Sequence, residues 1–478
     1  MLKPPRQINF EPFGIIIFLC LLQVMVAFLT TYRGLGFDEA IWHYIGRNWF
    51  RHGLIPYTGG VDNKSPLIYL IYGFSDLMFG LNFWFPRLLA IACQTAGIYF
   101  VYKIANHFGG KKAGLIAIIL YGLSLTWQST DGKSVSQTQA YEITFLLASF
   151  YYYFSAEKNK DFFFAGILAG IAIAFKFTAV FPGMLIGCAL IYKKHIAASL
   201  IFLTGVLASS ALLTGLLFLS GISLPDFMLY SFSDNFTAGS VTDHPWRWKL
   251  EQCYNQFLHS GMVLFYPFVM AWLVIRKKMD ILMLWLIASL MGLCIIGMFA
   301  RSHLKEILPQ LSVMSTLSIT YLQQRYALSM KAVVIVLLVF FFPKTTEPFW
   351  ALQTMFNPKN DHPKISSRDD MNKQLGLWIR SNTRDGEKVY IAGYSALAQV
   401  YSERLSPSIY FNATQTPVAK KRLFDDLSLN KPAMIAIPVF PEYDALINKE
   451  TRQFIDGIVA DNYKADTTLL GYHIYRQK

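Results

Sequence analysis

Residues 34–74 read GLGFDEAIWHYIGRNWFRHGLIPYTGGVDNKSPLIYLIYGF (Gly34–Phe74). Phe37, Ile41, Tyr44, Ile45, Trp49 and Phe50 fall on one side at helical spacing, with Trp42 and Arg47 elsewhere. That pattern predicts an amphipathic helix lying in a membrane interface. Asp38 and Glu39 sit at its start, where the positive end of a helix favours carboxylates, so a helix-capping acidic pair is one reading. The other is chemical. The pair follows an apolar run closely, at a depth where charge is costly and tends to be functional. Lys64-Ser65-Pro66 then places a cation in a turn that opens a second apolar helix. A carboxylate and a cation converging at the outer membrane face can serve as base and phosphate clamp.

Working outward, the stretch is bracketed by apolar runs. A bilayer core about 30 Å thick needs roughly 20 mostly apolar residues per helix. By that measure spans are predicted at 13–32, 84–103, 113–130, 140–156, 162–176, 177–192, 196–221, 260–275, 281–300, 304–323 and 331–346. The fifth and sixth are short and broken around Lys176 and Pro182, as a bent hairpin or a re-entrant pair. Basic clusters at Lys3/Arg6, Lys103/Lys111/Lys112, Lys158/Lys160, Lys193/Lys194, Arg276/Lys277/Lys278 and Arg325/Lys331 all fall on one side if the N-terminus is cytoplasmic. Eleven spans, N-terminus inside and C-terminus outside, is the expected topology. The run Phe13–Thr31 is long for a signal-peptide core and is read as a retained first span.

Composition agrees. Of 478 residues, 54% are hydrophobic and 15% charged, against about 25% charged in soluble domains. The formal net charge is +13. From Lys344 onward 18 Lys/Arg face 15 Asp/Glu, so most of the excess sits in the membrane half, in short loops. That distribution sets topology and excludes a nucleic-acid partner. Five scattered cysteines, without C-x-x-C spacing, indicate neither zinc nor a disulfide framework. Beyond the last span, Glu387–Ala392, Ala433–Val439 and Thr467–Arg476 read as strands, with helices near 368–383, 417–428 and 447–461. The expected organisation is a transmembrane domain, 1–346, and a small extracytoplasmic α/β domain, 347–478. No Gly-rich phosphate loop follows any tail strand, which favours a structural or acceptor-docking role for that domain.

Several motifs together match a family. Asp38-Glu39 after the first span, Pro56-Tyr57, then Lys64-Ser-Pro-Leu-Ile-Tyr69 resembles the first outer loop of integral-membrane glycosyltransferases of the GT-C fold. The likeness is to the branch containing protein O-mannosyltransferases and bacterial aminoarabinose transferases. Phe85-Pro86-Arg87-Leu88, Tyr141-Glu142, Gly166 to Gly170 followed by Phe175-Lys176, and Arg301-Ser-His303 before Leu308-Pro309 extend it over about 300 residues of the chain. Each motif alone is weak; their order and spacing carry the signal. The resemblance implies a polytopic α-helical membrane protein of the GT-C fold. It also implies transfer of a sugar from a polyprenyl-phosphate donor to a lipid, glycan or protein acceptor at the outer face, with inversion.

In that reading Asp38 is the base, assisted by Glu39 or Glu142, and Lys64, Arg87, Arg301, His303 and Lys176 hold the donor phosphate. No cofactor is expected; a divalent metal is conceivable but unsupported, since Asn63 stands where the aminoarabinose transferases carry Glu before the lysine. The partners are then the lipid-linked donor, membrane lipids and the acceptor. A bacterial inner membrane, with the tail periplasmic or extracellular, is the expected location. Plainer readings stand beside these: Arg87 and Lys176 as snorkelling side chains, Glu142 as a cap in the first turn of its helix, His43 and His52 as packing or surface residues, and Trp246 and Trp248 as interface anchors. The rival function is a transporter or flippase of a lipid-linked sugar, against which stands the lack of a detectable repeat.

Overall fold

The structure is a computed structural model that describes residues 11–29, 35–128, 135–233, 246–276, 279–296, 302–345, 363–393, 395–412, 416–439 and 449–478. The described helices of ordinary α geometry are α1 (Glu11–Leu29), α2 (Phe37–His52), α3 (Pro66–Phe79), α4 (Trp84–Gln128), α5 (Thr138–Phe154), α6 (Asn159–Phe175), α7 (Val180–Tyr192), α8 (Ile196–Leu219), α9 (Leu224–Met228), α10 (Trp246–His259), α11 (Tyr266–Arg276), α12 (Ile281–Ile296), α13 (Leu308–Arg325), α14 (Met330–Thr345), α15 (Pro363–Ser381), α16 (Ala396–Ser402), α17 (Pro417–Leu429) and α18 (Lys449–Asn462). Four strands follow the same order: β1 (Val389–Ile391), β2 (Met434–Pro438), β3 (Tyr463–Leu469) and β4 (Tyr472–Gln477). The chain groups into two compact units, one of residues 1–31, 87–214 and 244–357, the other of 32–86, 215–243 and 358–478.

The first unit is helical, and each of the eleven apolar runs is mostly helical in its described part. By length and composition, two described helices suffice to cross a membrane, Trp84–Trp127 and Ile196–Leu219, or three with the bent pair Trp246–His259 and Met262–Arg276. The breaks have local causes. Gly110 takes φ 76 inside α4, beside Lys111 and Lys112, and splits it into the two predicted runs. Gly261, at φ 76, marks the 76° bend between α10 and the helix after it. Glycine adopts that left-handed backbone without the Cβ penalty. The discontinuity between α6 and α7 is Lys176, extended at φ −155 and ψ 120, followed by the 3-10 turn Phe177–Ala179. Pro182 is accommodated inside the first turn of α7, where its missing N–H is not needed, so the expected second break does not occur.

Small residues bring α6 and α8 together. A Cβ on Gly166 would lie 2.0 Å from the Phe202 carbonyl oxygen, and one on Gly205 would lie 2.3 Å from that of Phe163. Such backbone contact is how helices associate where lipid removes the hydrophobic drive between them. Leu200, Leu203 and Leu207 on α8 are exposed, as a lipid-facing side requires. Deeper in the unit, Phe150 stacks on Trp285 at 3.9 Å.

The second unit is built on a sheet of order β1-β2-β4-β3, with β1 and β2 parallel and the other pairs antiparallel. Alternation along the strands buries both faces. Val389, Ile391, Met434 and Ala436 pack with Leu375 and Ile379 of α15; Tyr390, Ile435 and Ile437 pack with Leu423 and Leu427 of α17 and Ile455 of α18. The predicted single strand Thr467–Arg476 is instead part of a hairpin, because Leu470 and Gly471 both take positive φ and turn the chain back.

This unit also contains the loop expected to lie on the outer side. The helix predicted there exists as α2, but it is not half exposed. Every residue from Glu39 to Asn48 is buried. A Cβ on Gly46 would meet the Gly73 nitrogen of α3 at 2.4 Å, so the two helices cross in backbone contact. Tail residues cover α2 as well: the Tyr44 ring lies 4.1 Å from Phe411 and its hydroxyl accepts from the Ser406 N–H at 2.7 Å. The exposed apolar stripe expected of an interfacial helix belongs to α3, through Leu70, Phe74, Leu77 and Met78.

Candidate active site

The two carboxylates at the start of α2 are separated by their surroundings. Glu39 is fully buried and its Oε2 accepts the Gly36 N–H at 2.7 Å, closing the first turn of the helix. Asp38 is half-buried at the second helical position. The capping reading therefore describes Glu39, while Asp38 is only half-buried.

Lys64 precedes α3, whose start is fixed by Pro66 at the first helical position and by the Ser65 hydroxyl accepting the Leu67 N–H at 3.5 Å. The Lys64 ammonium donates to the Asn63 side-chain oxygen. Asn63 is neutral, so it orients the cation without cancelling its charge. A glutamate at that place would do both.

What holds this loop is a charged cluster that sequence reasoning missed. Asp76 of α3 is 1% exposed. Its Oδ2 accepts from Arg47 Nε at 3.0 Å and Nη2 at 2.9 Å, and its Oδ1 accepts from Arg51 Nε at 2.5 Å. The remaining Arg47 nitrogen, Nη1, donates to the Val400 carbonyl in α16 at 2.8 Å. His43 is fully buried, with Nε2 hydrogen-bonded to the Asn82 carbonyl and Nδ1 3.7 Å from Asp76. It is a packing residue, as one reading had it. Burial alone would raise the Asp76 carboxyl, but the facing His43 and the Arg47 guanidinium outweigh it and hold it well below the usual carboxylate range. Burial also pushes the Tyr44 phenol up to about 12, so it stays a neutral hydrogen-bonding group at physiological pH.

A second polar cluster lies in the helical unit. Lys176 is 8% exposed and its ammonium pairs with Glu306, whose other oxygen accepts from the Thr178 hydroxyl at 3.2 Å. Lys176 is thus buried and paired, not snorkelling. Glu142 is also buried and falls beyond the first turn of α5, which begins at Thr138, so it does not cap that helix. It lines a small cavity with Trp285, Ser289, Glu306 and Gln310. Among the described residues Glu142 Oε2, Trp285 Nε1 and Gln310 Oε1 have no hydrogen-bond partner; buried polar atoms of that kind cost about 1–3 kcal/mol each and tend to mark function. Arg87 is fully buried at the start of α4 and does not snorkel. His303 is half-buried in the short 3-10 turn His303–Ile307. Arg301 lies outside the described residues. Among the described residues no group of three or more His, Cys, Asp and Glu could hold a metal ion. Trp246 and Trp248 are exposed on α10, as interface anchors would be.

The geometry thus gathers Glu142 and Lys176 around Glu306 in one unit, while Asp38, Glu39 and Lys64 lie along one loop of the other. Glu306 carried no sequence signal beyond its place between His303 and Leu308-Pro309, because its partner lies 130 residues away.

Residues 63–218 match the family model of dolichyl-phosphate-mannose-protein mannosyltransferases. No curated protein matches the sequence. Among solved structures, ArnT from Cupriavidus metallidurans, bound to undecaprenyl phosphate, is 13% identical and superimposes with a TM-score of 0.65, covering 97% of this chain and 98% of its own. The archaeal oligosaccharyltransferase AglB from Archaeoglobus fulgidus, in complex with an inhibitory peptide and a dolichol-phosphate, is 12% identical with a TM-score of 0.59, covering 98% and 74%. The chain shares the fold of these proteins, and the GT-C fold expected from its motifs is borne out.

Proposed function

We propose that this chain transfers a sugar from a polyprenyl-phosphate carrier to an acceptor at the outer face of a bacterial inner membrane, with its N-terminus cytoplasmic. The observation that carries the reading is the division of labour in the first outer loop. Glu39 closes a helix turn, Asp38 beside it is only half-buried, and Lys64 presents an ammonium beside a neutral amide. Solved proteins of this fold hold undecaprenyl phosphate or dolichol-phosphate, which gives such a cation a matching ligand.

In the proposed step the acceptor hydroxyl or amine attacks the anomeric carbon opposite the phosphate. The bond from that carbon to the phosphate oxygen breaks, and polyprenyl phosphate departs with the electron pair. The acceptor's proton passes to the Asp38 carboxylate, and Lys64 offsets the charge growing on the leaving group. Arg87, Arg301 and His303 are further proposed phosphate ligands on the strength of the motif resemblance. Lys176 is a weaker one, since Glu306 already engages its charge.

The test is incubation of purified protein with a panel of polyprenyl phosphosugars and cell-envelope extract, following free polyprenyl phosphate by mass spectrometry. Release by the wild type that disappears in Asp38→Asn is expected. Equal release from a folded Asp38→Asn protein would overturn the assignment of the base. Movement of intact lipid-linked sugar across vesicles without release would move the protein to the transporter class.

A further inference from the structure

The backbone on either side of Lys64 is held by an unusual number of buried side chains. Tyr69 is fully buried, and its hydroxyl lies 2.9 Å from the Asp62 carbonyl, 3.0 Å from the Lys64 carbonyl and 3.3 Å from the Lys64 N–H. One phenol thereby meets three backbone groups of residues 62–64. Trp42 of α2, 1% exposed, donates its indole N–H to Asp62 Oδ2 at 3.0 Å. From a third direction, the Tyr57 hydroxyl lies 2.7 Å from Ser231 Oγ, and both hydroxyls lie 3.5 Å from the Lys64 carbonyl.

Tyr57 reaches that place at the expense of its own backbone. It takes φ 73, a left-handed conformation that costs a non-glycine residue about 1–3 kcal/mol and persists only where its surroundings over-determine it. The surroundings here are the Tyr57 N–H donating to the Gly60 carbonyl at 2.9 Å and its ring stacked on Tyr230 at 5.4 Å. An ordinary loop turn needs none of this. Residues 62–64 are gripped at the carboxylate, at two carbonyls and at an N–H, while among the described residues the Lys64 ammonium hydrogen-bonds the neutral Asn63.

We infer that Trp42, Tyr57 and Tyr69 are positioning residues for Lys64, fixing the 62–64 backbone so that the ammonium is presented to the phosphate of a lipid-linked donor. This rests on the function proposed above. None of the three touches the phosphate; each acts through the lysine. A hydroxyl or indole N–H removed from this set leaves the charge in place but loosens where it points, and preorganised donors are worth more than mobile ones.

The experiment measures binding of undecaprenyl phosphate to the full chain in lipid nanodiscs, for Lys64→Ala, Tyr69→Phe and their combination, with thermal midpoints as the folding control. Lys64→Ala is expected to weaken binding about 10- to 100-fold, the range for a charge-assisted hydrogen bond, and Tyr69→Phe about 2- to 10-fold. In the Lys64→Ala background, Tyr69→Phe should add nothing, because its effect runs through the lysine. A merely structural tyrosine would lower affinity equally in both backgrounds, and that result would overturn the inference. So would wild-type affinity from Tyr69→Phe when Lys64→Ala has lost it. Wild-type affinity from Lys64→Ala would instead sink the proposed role of Lys64, and the inference with it. Should Tyr69→Phe fail to fold, Trp42→Phe and Tyr57→Phe carry the same cycle with the same readings.

Discussion

Arg47 makes a two-point contact on a single oxygen of Asp76, with Nε at 3.0 Å and Nη2 at 2.9 Å from Oδ2. Both side chains are buried, and the third guanidinium nitrogen anchors the Val400 carbonyl of the tail. Breaking a buried pair from one side strands the other charge, typically at about 3–5 kcal/mol. Asp76→Asn should therefore lower the stability of this unit by about 3 kcal/mol, the low end, because Arg51 is partly solvated and screened. Hydrogen exchange at α16 and the thermal midpoint check it; an unchanged midpoint would count against the pair as the anchor.

The same carboxylate sets a pH dependence. Its folded pKa is depressed below the ordinary carboxylate value of about 4. Its contribution to stability is therefore complete above that value and is lost as pH falls through the folded pKa. Melting midpoints of the wild type should fall more steeply than those of Asp76→Asn as pH is lowered from about 5 toward the acid limit.

Lys176 and Glu306 offer a sharper contrast. Lys176→Met leaves a buried carboxylate and should cost about 3–5 kcal/mol. Replacing both residues, Lys176→Met with Glu306→Met, removes both charges together and should recover most of that loss. Thermal unfolding of the three variants in detergent decides it, and a double variant no more stable than the worse single one would show the pair is not the main local interaction.

At the start of α2, Glu39→Gln keeps an oxygen able to accept the Gly36 N–H and should leave transfer within about tenfold of wild type. Asp38→Asn, in contrast, should lose about 100-fold or more, the usual worth of a general base. Initial rates of polyprenyl phosphate release measure both. Equal losses would mean that the two carboxylates share the work.

Gly166→Ala drives a methyl into the Phe202 carbonyl across the α6–α8 crossing. Neither backbone can yield by a side-chain rotation, so a loss of about 1–3 kcal/mol is expected. The midpoint of thermal aggregation in detergent reads it directly. Gly14→Ala, with open space around its Cβ position, should leave the midpoint unmoved.

Much of this arrangement was legible in the chain. The apolar runs predict helices because long uncharged stretches admit little else, and the β-branched and aromatic runs at 389–391 and 434–438 fall on strands. Local signals were harder where they were short. The Thr467–Arg476 run concealed a turn at Leu470-Gly471, and the seven-residue α16 has too few turns to show a period. At the site, Asp38 and Lys64 stood out by charge in an apolar setting. Arg47, Asp76 and Glu306 did not, since each is explained by a partner that only folding brings near. The enclosure of α2 was missed for the same reason. Its apolar side was read as facing lipid, whereas tail residues such as Phe411 fill that space.

Hydrogen bonds join the loop that holds α2 to the tail: Arg47 to Val400, the Ser406 N–H to Tyr44, and the Val61 N–H to the Ile409 carbonyl at 3.0 Å. Insertions or truncations that spare every membrane helix but remove the tail would leave Tyr44 and Arg47 unsealed. The loop that carries Asp38 would then be the first thing to come apart. Heredity and engineering alike must treat residues 32–86 and the last quarter of the chain as one inherited piece, exchanged together or not at all.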